Sequence, residues 1–181
     1  MRVLVDMDGV LADFSGAFLK KWREQHPDKF VPIEARTTFY IVSQSCPEEF
    51  KPLIKAIYTA PHFFRTLEPI PGSIEAMQEM KELGIELFLC SSPLAEYEHC
   101  VLEKYEWVDK HLGREWTKRL ILTKDKTIIR ADMLIDDRPH IKGVEIPTWE
   151  PNLLSCRRNT FNIKRFDKVL IPNTQINRIS G

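Results

Sequence analysis

Four short stretches of this 181-residue chain carry residue types that can act on a phosphate ester: Asp6-Met7-Asp8-Gly9, Ser91-Ser92, Lys126 and Asp136-Asp137. A phosphate monoester is a dianion, so carboxylates alone would repel it. A Mg²⁺ held by Asp6, Asp137 and a backbone carbonyl at Asp8 would cancel that repulsion, since hard oxygen ligands with open water positions suit this ion. Lys126 and the hydroxyl of Ser91 would take the non-bridging oxygens, helped by backbone amides of the Asp6 loop. Asp6 could attack phosphorus and form an aspartyl-phosphate. Asp8, two residues on, is placed to protonate the leaving alkoxide and then to activate water. Gly9 would let the backbone turn beside the ligand.

Taken singly, each stretch has a plainer explanation. Asp-x-Asp-Gly is most often an Asx-type turn. It does not make an EF-hand loop, because Val10 stands where a third oxygen ligand belongs. Asp136-Asp137 alone could cap a helix, Lys126 could be solvated, and Ser91-Ser92 could be a turn. Their common position is what joins them, since each lies at or just beyond the end of an expected strand. In an open parallel sheet those ends share one edge, where ligands bind.

The elements that must place them follow from the apolar pattern. Arg2–Val5 reads as a buried strand running into a tight loop. A helix is expected over 14–26, stopped at His26-Pro27, and another around 48–58. Ser73 reads as an N-cap, with Ile74, Met77, Met80 and Leu83 along one side and Gly84 ending the helix. Further strands are expected at 85–90, 120–122, 133–135 and 144–149. A helix over 95–112 would turn Tyr97, Cys100, Val101, Tyr105 and Val108 inward. Strands alternating with helices imply a parallel sheet covered on both faces.

The totals narrow the classes. Hydrophobic residues form 43% and charged residues 29% of the chain, which suits a globular domain with a real core. Lys+Arg and Asp+Glu both number 26, so no bulk charge draws the chain to a nucleic acid polymer or a membrane. Cys46, Cys90, Cys100 and Cys156 form no CxxC pair and read as free thiols in a reducing compartment. No Cys/His cluster has zinc-ligand spacing. The chain enters a strand directly after Met1, so a cytoplasmic location without a leader is expected.

The chain resembles the haloacid dehalogenase superfamily and, within it, the 5′(3′)-deoxyribonucleotidases. Asp6-Met7-Asp8-Gly9-Val10-Leu11-Ala12-Asp13-Phe14 is similar to that family's first motif. The segments 67–72, 90–93, 103–105, 121–127 and 134–137 are similar to its later ones. The resemblance implies an α/β, Rossmann-like core of 1–15 and 68–181 with a small helical cap, 16–67, inserted after the first strand. It implies Asp6 as nucleophile, Asp8 as acid and base, and Asp6, Asp8 and Asp137 around Mg²⁺. Ser91 and Lys126 then contact the phosphate, with Ser92 and Lys104 as further substrate-binding residues. The aromatics Phe14, Phe39, Tyr40, Tyr58 and Phe64 hold the nucleoside. Ser91 stands where the family usually has Thr, and Lys124 where Arg is common, which keeps charge but loses bidentate geometry. Tyr58 stands where the mitochondrial members have Trp, which points to the cytosolic type. The expected activity is hydrolysis of pyrimidine deoxynucleoside monophosphates (dUMP, dTMP) by a homodimer. The alternatives are a phosphatase for a small sugar phosphate, which would not need an aromatic cap, and a phosphoaccepting binding module, which would place its Asp mid-chain.

Overall fold

The computed structural model describes residues 1–29, 46–138 and 140–153. The strands are β1 (Arg2–Val5), β2 (Glu86–Ser91), β3 (Leu120–Leu122), β4 (Met133–Asp136) and β5 (Glu150–Leu153). They form one sheet of order β3-β2-β1-β4-β5, every neighbouring pair parallel. The central strand β1 is therefore buried on both faces. Val3 and Val5 face a large cluster that includes Met77, Leu89, Trp107 and Ile135, while Leu4, between them, packs with Cys90, Leu134 and Trp149.

The described helices are α1 (Phe14–Gln25), α2 (Lys51–Thr59), α3 (Ser73–Glu82) and α4 (Tyr97–His111). Asp13 caps α1 by accepting from the Gly16 amide at 2.8 Å. Phe18 and Trp22 of α1 meet Ile54 and Ile57 of α2 in the same large cluster as the sheet. The excursion from residue 14 to 67 is closed where it begins and ends. Ala12 bridges Pro69, and the Asp13 amide donates to the Glu68 carbonyl at 2.8 Å. None of the described helices is long and apolar enough to cross a membrane.

Four local expectations are corrected. Ser73 is the first residue of α3, with Gly72 in the cap position, and its buried hydroxyl donates to the Leu11 carbonyl at 3.1 Å. Leu83 is exposed, because α3 ends at Glu82 in a Schellman turn. There the Gly84 amide, at φ 75°, donates to Lys81 and the Ile85 amide to Met80. The inner face of α4 consists of Cys100, Glu103, Lys104, Trp107 and Val108, while Tyr97 and Tyr105 point outward. The last strand is Glu150–Leu153 and not 144–149. Val144 and Glu145 are instead loop residues whose amides donate to Asp125 and Thr127, and Val144 and Ile146 are exposed. Cys90 and Cys100 are buried free thiols, and Cys156 lies outside the described residues.

Candidate active site

Asp6 continues the line of β1, its amide donating to the Ile135 carbonyl at 2.9 Å. The chain then reverses in a tight loop, where the Leu11 and Ala12 amides both donate to the Met7 carbonyl, at 2.9 and 2.8 Å. Gly9 lies in this loop at φ 79°, and a Cβ built on it would overlap the Asp137 carboxylate. The loop can pass the end of β4 this closely only because residue 9 has no side chain.

Three acids meet where β1 and β4 end. Asp6, Asp136 and Asp137 each offer a carboxylate oxygen within 4.8 Å of the others. Lys126, from the 3₁₀ turn Lys126–Ile128, sits 2.9 Å from Asp6 and 2.7 Å from Asp136, almost fully buried. Burial pushes this ammonium down, but Asp6 and Asp136 outweigh it and hold its pKa above the ordinary lysine value. Burial and then Asp6 push Asp136 up, against the pull of Lys126. Burial, then the charges of Asp6 and Asp136, push Asp137 to about 9. Asp137 Oδ1 is buried with no hydrogen-bond partner. Three carboxyl groups crowd around Lys126, and the orphaned oxygen lies among them. This set of hard oxygens fits a divalent cation such as Mg²⁺.

On the other side of Asp8 stands α4. Its Lys104 is fully buried and donates to Asp8 Oδ2 at 2.5 Å and to Ser91 Oγ, at the end of β2, at 3.1 Å. The same ammonium lies 4.7 Å from the centre of the Phe64 ring. Asp8 Oδ1 is buried without a hydrogen-bond partner.

A cavity of about 480 Å³ opens onto these groups, a size that suits a small ligand. Asp6, Asp8 and Asp137 line it, together with Phe14, Tyr58 and Phe64 and with Ser15, Ser92, Glu96, Lys124 and Arg138. The Phe14 ring centre lies 6.2 Å from that of Tyr58 and 6.0 Å from that of Phe64, so the three rings form one aromatic wall. Burial raises the Tyr58 hydroxyl above its usual pKa. Ser91, Lys104 and Lys126 do not line the cavity; Lys104 and Lys126 sit behind it, paired with Asp8 and Asp6, which do, and Ser91 accepts from Lys104. Phe39 and Tyr40 lie outside the described residues.

Sequence reasoning passed over several members. Asp136 was read only as half of an acidic pair, yet its carboxylate holds Lys126. Arg138, Glu96 and Ser15 line the cavity and were not singled out. The role of Lys104 had a signal in the sequence. It lies four residues after Cys100 and three before Trp107, in phase with the apolar face of α4. A charge in that phase needs a buried partner.

Residues 1–145 match the family described as 5′ nucleotidase, deoxy (Pyrimidine), cytosolic type C protein. The chain belongs to the 5′(3′)-deoxyribonucleotidase family. The human 5′(3′)-deoxyribonucleotidase of cytosolic type is 45% identical over 164 residues, which cover 88% of this chain and 82% of its own. The human mitochondrial 5′(3′)-deoxyribonucleotidase is 43% identical over 166 residues, covering 88% and 72%. A Bordetella pertussis relative is 53% identical over 150 residues, covering 82% and 80%. The matched span holds every group from Asp6 to Arg138 that surrounds the cavity. As a deoxyribonucleotidase-family member on an α/β parallel-sheet core, the chain is a phosphatase.

Proposed function

We propose that this chain hydrolyses the phosphate ester of pyrimidine deoxynucleoside monophosphates such as dUMP and dTMP. The observation that carries this reading is the shared cavity: Asp6 and Asp8 open into the same space as the rings of Phe14, Tyr58 and Phe64. A sugar phosphate gives such rings nothing to stack on, whereas a nucleobase does. The relatives' name, 5′(3′)-deoxyribonucleotidase, supports the same substrate class.

In this reading an Asp6 carboxylate oxygen attacks phosphorus while the bond to the nucleoside oxygen breaks. Asp8 gives its proton to that departing oxygen. Asp8 then takes a proton from water, whose oxygen attacks the aspartyl-phosphate and frees Asp6 and inorganic phosphate. Lys126 fixes the direction of the Asp6 carboxylate. Ser92, which lines the cavity, offers a hydroxyl to the phosphate oxygens, and Lys104 and Lys126, behind Asp8 and Asp6, supply positive charge to the site. Asp6, Asp137 and the Asp8 carbonyl would hold Mg²⁺, which when bound offsets the negative charge of the phosphate. Asp136 is left to Lys126.

Residues 16–67 serve as a cap over a core of 1–15 and 68–181, and Phe39 and Tyr40 belong to it. A cytosolic homodimer acting on a free nucleotide, with no nucleic acid polymer or membrane as partner, completes the proposal. Phosphate release from dUMP and dTMP, measured beside a panel of sugar phosphates, tests it. Turnover of sugar phosphates without turnover of dUMP would overturn it.

A further inference from the structure

Glu103 is a buried carboxylate to which the reaction above assigns no role. It is 2% exposed and lies on the inner face of α4, one residue before Lys104. Its partners are backbone amides of a segment some forty residues earlier. Oε1 accepts from His62 at 2.5 Å, and Oε2 accepts from Phe64 at 3.0 Å and Arg65 at 3.3 Å. Phe64 opens a 3₁₀ turn, Phe64–Thr66, whose first amides would otherwise be left without acceptors. His62 is the one non-glycine residue with positive φ among the described residues, at 69°. That conformation is disfavoured for a side-chain-bearing residue and persists only where the surroundings enforce it.

Phe64 is the ring that this turn presents to the cavity, edge-on to Phe63 at 5.3 Å and beneath the Lys104 ammonium. Resting on the nucleotide reading above, we propose that Glu103 is a positioning residue for base recognition. It clamps the 62–65 turn and so sets where the Phe64 ring meets the base. The neighbouring Lys104 holds Asp8 and serves the chemistry, so α4 anchors both halves of the site from adjacent residues. The chemical step does not depend on Glu103.

The test is steady-state kinetics on dUMP and on deoxyribose 5-phosphate, a substrate with no base. Glu103→Gln keeps the shape but turns an amide group toward backbone N–H donors. The variant is expected to raise KM for dUMP about tenfold, as loss of a charge-assisted bond implies, with kcat within about twofold. Its kcat/KM on deoxyribose 5-phosphate stays at the wild-type value. Combined with Phe64→Leu, it costs no more on dUMP than Phe64→Leu alone. Equal losses on both substrates, or additive losses in the double variant, overturn the proposal.

His62→Gly supplies a second arm, because glycine adopts φ 69° unaided. Added to Glu103→Gln, it lowers KM for dUMP toward the wild-type value if Glu103 acts by enforcing that turn. If KM stays at the Glu103→Gln value, Glu103 is only a buried charge and the proposal fails. Wild-type protein that turns over deoxyribose 5-phosphate as well as dUMP would refute the nucleotide reading instead. Amide exchange then still decides on the clamp: His62, Phe64 and Arg65 protected in the wild type and released together in Glu103→Gln support it, and unchanged protection overturns it.

Discussion

The Lys104 ammonium lies 2.5 Å from the Asp8 carboxylate, fully buried on the lysine side and a quarter exposed on the aspartate side. A buried lysine that loses its partner is costly, and so is a part-buried carboxylate that loses its cation. Lys104→Met is therefore expected to destabilise the fold by about 3 kcal/mol. Adding Asp8→Asn should recover part of that, since no lone charge then remains. Urea unfolding of the two single variants and the double variant checks this. Strictly additive losses would mean that the pair is not energetically coupled.

Asp6→Asn should fold and show no turnover, because an amide does not form the acyl-phosphate. Asp8→Asn should retain some chemistry, slowed by about 10²–10⁴-fold as expected for loss of a proton-transfer group. Single-turnover assays on purified, folded protein separate the two roles. Substantial turnover by Asp6→Asn would remove it as the nucleophile.

The metal-free protein should lose stability as pH rises. Asp137 has an ordinary pKa of 3.8 and is pushed to about 9 in the fold, by burial first and then by Asp6 and Asp136. The folded state thus holds a proton that the unfolded state has released between about pH 4 and pH 9, so this group's contribution falls through that window. Asp137→Asn removes the effect. Chelator-treated variant should gain melting temperature over the wild type at pH 8, and less at pH 6. Mg²⁺ should stabilise the wild type and restore its activity, while Ca²⁺, with looser coordination, should restore activity poorly. A melting difference independent of pH, or full activity after exhaustive chelation, would contradict the assignment.

Selectivity for the sugar follows from the apolar wall. A ribose 2′-hydroxyl buried against Phe14 and Phe64 without a partner costs about 1–3 kcal/mol. That is roughly ten- to a hundredfold in kcat/KM between dUMP and UMP. Equal values would mean that the wall does not read the sugar.

Much of this was legible because the chemistry sits at strand ends. Val3–Val5 is uniformly apolar and runs into acids, and Met133–Ile135 does the same, so their meeting follows from parallel pairing. What was not legible is which buried charges share a partner. Nothing local to Lys126 tells that Asp6 and Asp136 divide it, because that depends on three chain segments coming together. The role of Glu103 was hidden for the same reason, as its acceptors serve amides rather than a side chain that a charge pattern would reveal. The misplaced last strand has another cause. The stretch 144–149 has strand-like residues, but the Val144 and Glu145 amides are already taken by Asp125 and Thr127 and cannot join a ladder.

The sheet order also sets when the enzyme can begin to work. β1 is central, and its two neighbours are β2, paired at Arg2 and Glu86, and β4, paired at Val3 and Met133. The strand that leads into Asp6 is thus made first, and its second neighbour, β4, follows only after β2 and β3. Contacts of such long sequence separation form slowly, because loop closure precedes any gain from packing. A nascent or truncated chain that stops short of β4 lacks Asp136 and Asp137 and has nothing to pair the far edge of β1. Such fragments should be catalytically silent, and on refolding from denaturant the return of phosphatase activity should trail the return of helical signal. Coincident recovery of the two would show that sheet and helices form together and would overturn this order.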